Sequence, residues 1–149
     1  RAGSPSRRNS NSTRSAIIHK TAKGYAGIYC HCDGYCTGVG KTLLAHYTDA
    51  AKVASLIALG DISSLGERVD PVGAHSFDKR EENTTCAYRR DRGETGCEMR
   101  EGKTVEEVAN QIGHNGYVYV FSGGTGSKPG KWTCNGVALA KAIAKEEKG

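Results

Sequence analysis

The alternation of apolar and polar positions changes period several times along this chain, and each change marks an expected element. Ala16-Ile17-Ile18-His19-Lys20 and Tyr25-Ala26-Gly27-Ile28-Tyr29-Cys30-His31 are short runs rich in β-branched and aromatic residues. Thr21-Ala22-Lys23-Gly24 separates them, which predicts a β-hairpin with glycine at a left-handed position. After Asp33-Gly34-Tyr35 the apolar spacing shifts to threes and fours at Val39, Leu43, Leu44 and Tyr47, predicting a helix from about Val39 to Tyr47. A second helix follows, capped by Thr48 or Asp49, striped by Val53, Ala54, Leu56 and Ile57, and ended by Gly60.

Gly66 to Glu82 carries prolines, glycines and charges and reads as a surface excursion. Thr84-Thr85-Cys86-Ala87-Tyr88 predicts a strand, and Asp91-Arg92-Gly93-Glu94 a turn. Thr104-Val105-Glu106-Glu107 has the form of a capping box at the head of a helix that buries Val105, Val108, Ala109 and Ile112 and stops at Gly113. Tyr117-Val118-Tyr119-Val120-Phe121 is wholly β-branched or aromatic and is the strongest strand signal. A glycine-rich loop from Ser122 to Gly130 joins it to Lys131-Trp132-Thr133-Cys134 as a second hairpin, and Val137 to Lys148 has the composition of a terminal helix. No internal repeat interrupts this order. The expected fold is α+β: a small antiparallel sheet made of two hairpins and the Thr84 strand, with three to four short helices packed mainly on one face.

Length and charge then bound the organisation. At 149 residues and 37% hydrophobic content, the chain suits one domain with a modest core. Residues 1–14 contain four arginines, no acid and a single apolar side chain, Ala2, so they are expected to form a disordered basic arm ahead of one domain at 15–149. The formal net charge of +5 is concentrated there: without those four arginines, 17 basic residues face 16 acidic ones. The case for nucleic acid as a partner therefore rests on the arm and not on the domain. No run approaches the length of a membrane span and no secretory signal pattern opens the sequence, so no membrane association is expected and the expected compartment is the cytoplasm.

Four groups of residues carry potential chemistry. Gly38-Val39-Gly40-Lys41-Thr42 looks like the end of a phosphate-binding loop, but that motif needs a glycine where Tyr35 stands, so helix-start glycines with a solvated lysine are the better reading. Cys30, Cys32 and Cys36 are candidate soft metal ligands. Zinc sites usually draw on two ligand pairs, and no second pair with matching spacing follows, so no cofactor is expected and zinc is the alternative. His31 and Asp33 have the types and spacing for an oriented acid–base pair, or for a structural histidine beside a turn-forming aspartate. Tyr88-Arg89-Arg90-Asp91-Arg92-Gly93-Glu94 offers guanidinium forks for phosphate or carboxylate, or arginines satisfied by Asp91 and Glu94.

The residues Ser12 to Ile17, Gly27 to Tyr35 (Gly-Ile-Tyr-Cys-His-Cys-Asp-Gly-Tyr), Leu56 to Leu65, Ala87 to Glu94, and Tyr117 to Phe121 with Trp132 carry a resemblance. The chain resembles a family of small uncharacterised proteins of tailed bacteriophages and prophages, over about Ser12 to Gly136. Members similar to it often carry tryptophan and proline where this chain has Cys32 and Cys36, and start near Ser12, so residues 1–11 lie upstream of the shared region. The resemblance implies a phage origin and the cytoplasm of a bacterial host. With no complete catalytic set, the expected function is that of a non-enzymatic accessory protein that blocks a host function. That fits an anti-defence protein of the anti-CRISPR or nucleotide-signal-sequestering kind, whose partner is a host protein or a small nucleotide. The binding candidates are His31, Asp33, Tyr35, Tyr88, Arg90, Arg92 and Trp132. The alternatives are a small phosphodiesterase or nuclease using His31 and Asp33, and a nucleic-acid-binding protein acting through residues 1–14.

Overall fold

The computed structural model describes residues 13–113, 116–123 and 130–148. Most of the expected basic arm and most of the glycine-rich loop after Ser122 thus lie outside the described residues. Strands β1 (Ser15–Thr21) and β2 (Gly24–Cys30) form the first hairpin, in register from Ser15 opposite Cys30 to Thr21 opposite Gly24. Gly24 has φ +147°, a value that residues with a side chain rarely adopt, and closes the two-residue turn. The second hairpin pairs β6 (Val118–Gly123) with β7 (Gly130–Cys134), and a short β8 (Val137–Ala138) adds to β7 before the last helix.

The two hairpins are joined side by side, β1 to β6, and that pairing is parallel. On the other edge of β2, β3 (Ile62–Ser64) pairs in parallel at Cys30 and β5 (Arg100–Gly102) pairs antiparallel at Tyr25 to Gly27, with β4 (Cys86–Ala87) outside β3. The sheet order is β4-β3-β2-β1-β6-β7-β8, so the fold is α+β as expected, but the sheet is mixed and not antiparallel throughout. The antiparallel pairs are the local ones; the parallel pairs need long crossovers, and their orientation is decided by tertiary packing. The Thr84 strand is correspondingly short, because Tyr88 begins a helix, α3 (Tyr88–Arg92), which the sequence reading places in strand and turn.

Helices cover both faces. On one side, α1 (Lys41–His46), α2 (Ala50–Ala58) and α5 (Leu139–Lys148) pack onto a core that includes Ile17, Ile28, Leu43, Tyr47, Val53, Leu56, Tyr119, Phe121, Trp132 and Leu139. On the other side, α4 (Val105–Ile112) sets Val108 and Ala109 against Ile18 and Val118, so the helices lie mainly, but not wholly, on one face, as expected. Ile17 and Ile18 point to opposite faces and are both fully buried, which is why the start of β1 reads as a continuous apolar run and not an alternating one. Gly27 lets α4 close down, since a Cβ there would lie 2.8 Å from Val108 and 2.9 Å from Ile18. The N-cap half of the capping box is present: Thr104 Oγ1 accepts the Glu107 N–H at 3.1 Å, and Gly113 ends α4 at φ +86°.

The helix expected at Val39 to Tyr47 begins earlier and in two parts, a wide π turn at Cys36–Gly40 followed by α1. Gly38 permits this turn by lying against the Asp33 carbonyl, where a Cβ would sit 2.5 Å away. The first free amides of the turn, on Cys36 and Thr37, are taken by the Glu146 carboxylate of α5 at 3.0 and 2.8 Å. In a phosphate-binding loop such amides face the phosphates; here a carboxylate of the same chain receives them, and Lys41 pairs with Glu147. Among the described residues, no helix is long and apolar enough to cross a membrane.

Candidate ligand-binding face

The sheet end formed by β2, β3 and β4 carries most of the predicted site residues. Alternation along β2 sends Ile28 and Cys30 into the main core, leaving Tyr29 and then His31 for the opposite face. Tyr29 Oη and His31 Nδ1 are 2.7 Å apart. Burial pushes the Tyr29 phenol up, so it keeps its proton beside His31 Nδ1. Asp33 does not join this pair. It sits at φ +56°, turns the chain into the π turn by accepting Val39 N–H on its carbonyl at 2.8 Å, and its carboxylate accepts the Tyr35 hydroxyl at 3.2 Å. Each group is thus held by a tyrosine, and no hydrogen bond connects His31 to Asp33, an arrangement that agrees with a structural histidine beside a turn-forming aspartate and not with an acid–base pair.

The arginine segment divides into structural and exposed members. Arg90 is spent internally: Nη1 donates to the Val69 carbonyl and Asp70, Nη2 to the Thr85 carbonyl and Asp91, and Nε to Asp91. Burial pushes Asp91 up, but the Arg90 guanidinium and the Ala87 N–H outweigh it and hold the carboxyl below its ordinary range. Arg92 is exposed, pairs with Glu94 at 3.3 Å and lies 4.9 Å from the centroid of the Phe77 ring. Tyr88 meets the same ring, centroids 5.6 Å apart. Trp132 is far from this surface in role: its indole packs on Phe121 at 4.9 Å and donates to the Tyr47 carbonyl at 2.7 Å inside the core.

Phe77 and Arg80 belong to the same surface and come from the excursion that the sequence reading leaves unassigned. Arg80 lies 4.6 Å from the Phe77 ring centroid, donates to the Phe77 carbonyl, and reaches Ser63 and Ser64 hydroxyls at 3.3 Å each. Among the described residues no carboxylate lies within ion-pair distance of it. The signal for this pair is visible in the sequence only as a lone aromatic beside Asp78-Lys79-Arg80. The face thus combines an unmatched guanidinium, a weakly paired one, two half-buried aromatics and the Tyr29–His31 pair.

The six cysteines are free thiols and do not assemble as the sequence spacing suggests. Cys30 is buried, its Sγ donating to the Cys32 carbonyl, and burial pushes its thiol up to about 12. Cys36 faces Cys134 on β7. The group of potential metal ligands found among the described residues is instead His75, Cys86 and Asp91. Its chemistry does not fit a cation. His75 Nδ1 accepts the Glu81 N–H at 2.9 Å, so Nε2 keeps the ring proton and is not free to ligate. Nε2 approaches Asp91 at 3.2 Å, a charge contact too poorly aligned to count as a hydrogen bond, and Arg90 already neutralises that carboxylate. The same geometry excludes a Cys–His–Asp nucleophilic arrangement, since neither ring nitrogen is left to accept the thiol proton.

No family model, curated protein or solved structure matches the chain.

Proposed function

We propose that the protein acts by binding and not by turnover, as a phage accessory protein that sequesters a small anionic nucleotide signal of host defence on the face formed by Tyr29, His31, Phe77, Arg80, Tyr88 and Arg92. The observation that carries the reading is Arg80, a guanidinium held against an aromatic ring and beside two serine hydroxyls, with no carboxylate partner among the described residues. A phosphate supplies the missing charge and accepts its fork, while Tyr88 beside it provides an aromatic ring for a base. Binding is favoured over hydrolysis because His31 is engaged by Tyr29 and Asp33 by Tyr35. The phage setting rests on the resemblance of the Gly27 to Tyr35 and Ala87 to Glu94 segments.

Isothermal titration against a panel of cyclic mononucleotides and oligonucleotides, with chromatography of the ligand afterwards, tests this. One panel member is expected to bind and to be recovered intact, and Arg80→Ala or Arg92→Ala to weaken it about tenfold or more, the scale of one lost charge-assisted contact. Absence of binding across the panel refutes nucleotide capture. Conversion of the ligand, lost in His31→Ala, would instead support the phosphodiesterase reading.

A further inference from the structure

A second chemical feature lies away from that face, where β7 passes beneath the start of the π turn. Cys36 and Cys134 are separated by 98 positions in sequence, yet their sulfurs are 3.6 Å apart. Both residues are 4% exposed and belong to the main core. They also line one end of an open cavity of about 560 Å³, whose other walls include Tyr117, Asn135, Lys141 and Glu146. The backbone on either side is held firmly. Glu146 receives the amides of Cys36 and Thr37, and Cys134 is paired with both Tyr119 of β6 and Val137 of β8. Two thiols in van der Waals contact on anchored strands need only an Sγ shift of about 1.6 Å to reach the bonded separation of ~2.05 Å, a movement within reach of side-chain rotation.

We propose that Cys36 and Cys134 are an oxidative cross-linking site, closed to a disulfide by a small peroxide or a low-molecular-weight disulfide that enters through the cavity. With peroxide, one thiol loses its proton and the thiolate attacks an oxygen of H₂O₂ to give a sulfenic acid and hydroxide, which takes up that proton to become water. The second sulfur then displaces the sulfenic oxygen as a second water, so two thiols and one peroxide yield one disulfide and two waters. With a disulfide such as oxidised glutathione, exchange through a mixed disulfide releases two reduced thiols. Burial and the neighbouring Cys36 thiol push Cys134 up to about 12, so the step is slow at neutral pH and quickens as pH rises. No comparable partner holds Cys30, whose sulfur bonds a backbone carbonyl, or Cys97, whose sulfur donates to the Glu94 carbonyl. Cys30 and Cys97 therefore do not compete for the link. The bond closes a loop spanning 98 positions, and so acts mainly on the unfolded chain.

The test treats the folded, full-length protein with hydrogen peroxide, or separately with oxidised glutathione, at pH 8. Remaining thiols are alkylated and the tryptic peptides analysed by mass spectrometry. The expected product joins the peptide bearing Cys36 to the one bearing Cys134 with loss of two hydrogens, and fragmentation places the link on Cys36 and not on Cys30 or Cys32. Thermal unfolding of the oxidised protein moves upward and returns on reduction. Cys36→Ser and Cys134→Ser each abolish the linked species, whereas Cys32→Ser leaves it unchanged. Because fragmentation of the wild-type product locates the bond, the result does not depend on the variants folding. Full alkylation of both thiols after oxidant treatment, or a link mapped to any other pair, overturns the proposal.

Discussion

Arg90 and Arg92 lie two positions apart in one segment, and the structure assigns them opposite roles that a pair of substitutions can separate. Replacing Arg90 with methionine keeps the aliphatic stem and removes the guanidinium. Two carbonyls, of Val69 and Thr85, then lose their donor, and Asp91, whose side chain is 5% exposed, loses both the fork and its countercharge. Breaking one side of a buried ion pair costs roughly 3–5 kcal/mol. Arg90 itself is 25% exposed, so solvent recovers part of this and about 3 kcal/mol is the expected loss. For a chain of this size that lowers the melting temperature by roughly 6–12 °C. Arg92→Ala, by contrast, removes an exposed ion pair and one contact on Phe77, and is expected to change stability by no more than about 0.5 kcal/mol. Thermal denaturation followed by circular dichroism measures both. If Arg90→Met melts within about 3 °C of the wild type, the claim that its hydrogen bonds organise the junction of β4, α3 and the excursion is wrong.

Two further outcomes follow from single residues. The Thr84 hydroxyl and the amides of Val72 and Gly73 hold Glu81 down to about 2, so its contribution to folding is complete above its ordinary value near 4.5 and is lost as pH falls through about 2. Urea midpoints measured between pH 5 and pH 2 should therefore fall more steeply in wild type than in Glu81→Gln, and parallel profiles would contradict the assignment. Gly27→Ala drives a methyl group into Val108 and Ile18 beneath α4, and should destabilise the fold by about 1–3 kcal/mol in chemical denaturation. An unchanged midpoint would mean that α4 is not packed as closely as described.

The elements that were legible in the sequence are those whose signals are local. The first hairpin, the Thr104 cap, the Gly60 and Gly113 stops and the Tyr117 strand all follow from side chains within a few residues of one another. The reading of Tyr88 as strand failed because the segment's fate is set by Asp91, which caps Ala87 N–H from one turn ahead and is itself held by Arg90. The π turn was missed for a similar reason: its stabilising carboxylate, Glu146, stands 110 positions from Cys36.

The sequence by itself determined that the chain builds an α+β domain around apolar runs at β1, β2 and β6, and that one segment concentrates arginine beside tyrosine. It also made the domain nearly neutral once the first 14 residues are set aside. Only the tertiary structure decided which arginine is spent and which is presented. It separated His31 from Asp33, drew Phe77 and Arg80 onto the same face as Tyr88, and brought Cys36 to Cys134. The physical reason is common to all of these. A guanidinium, an imidazole or a thiol acquires its role from the charge, donor or sulfur packed against it; some of these partners are sequence neighbours, as Tyr29 is to His31 and Asp91 to Arg90, but others, such as Cys134 for Cys36 and Ser63 for Arg80, are brought up only by the fold.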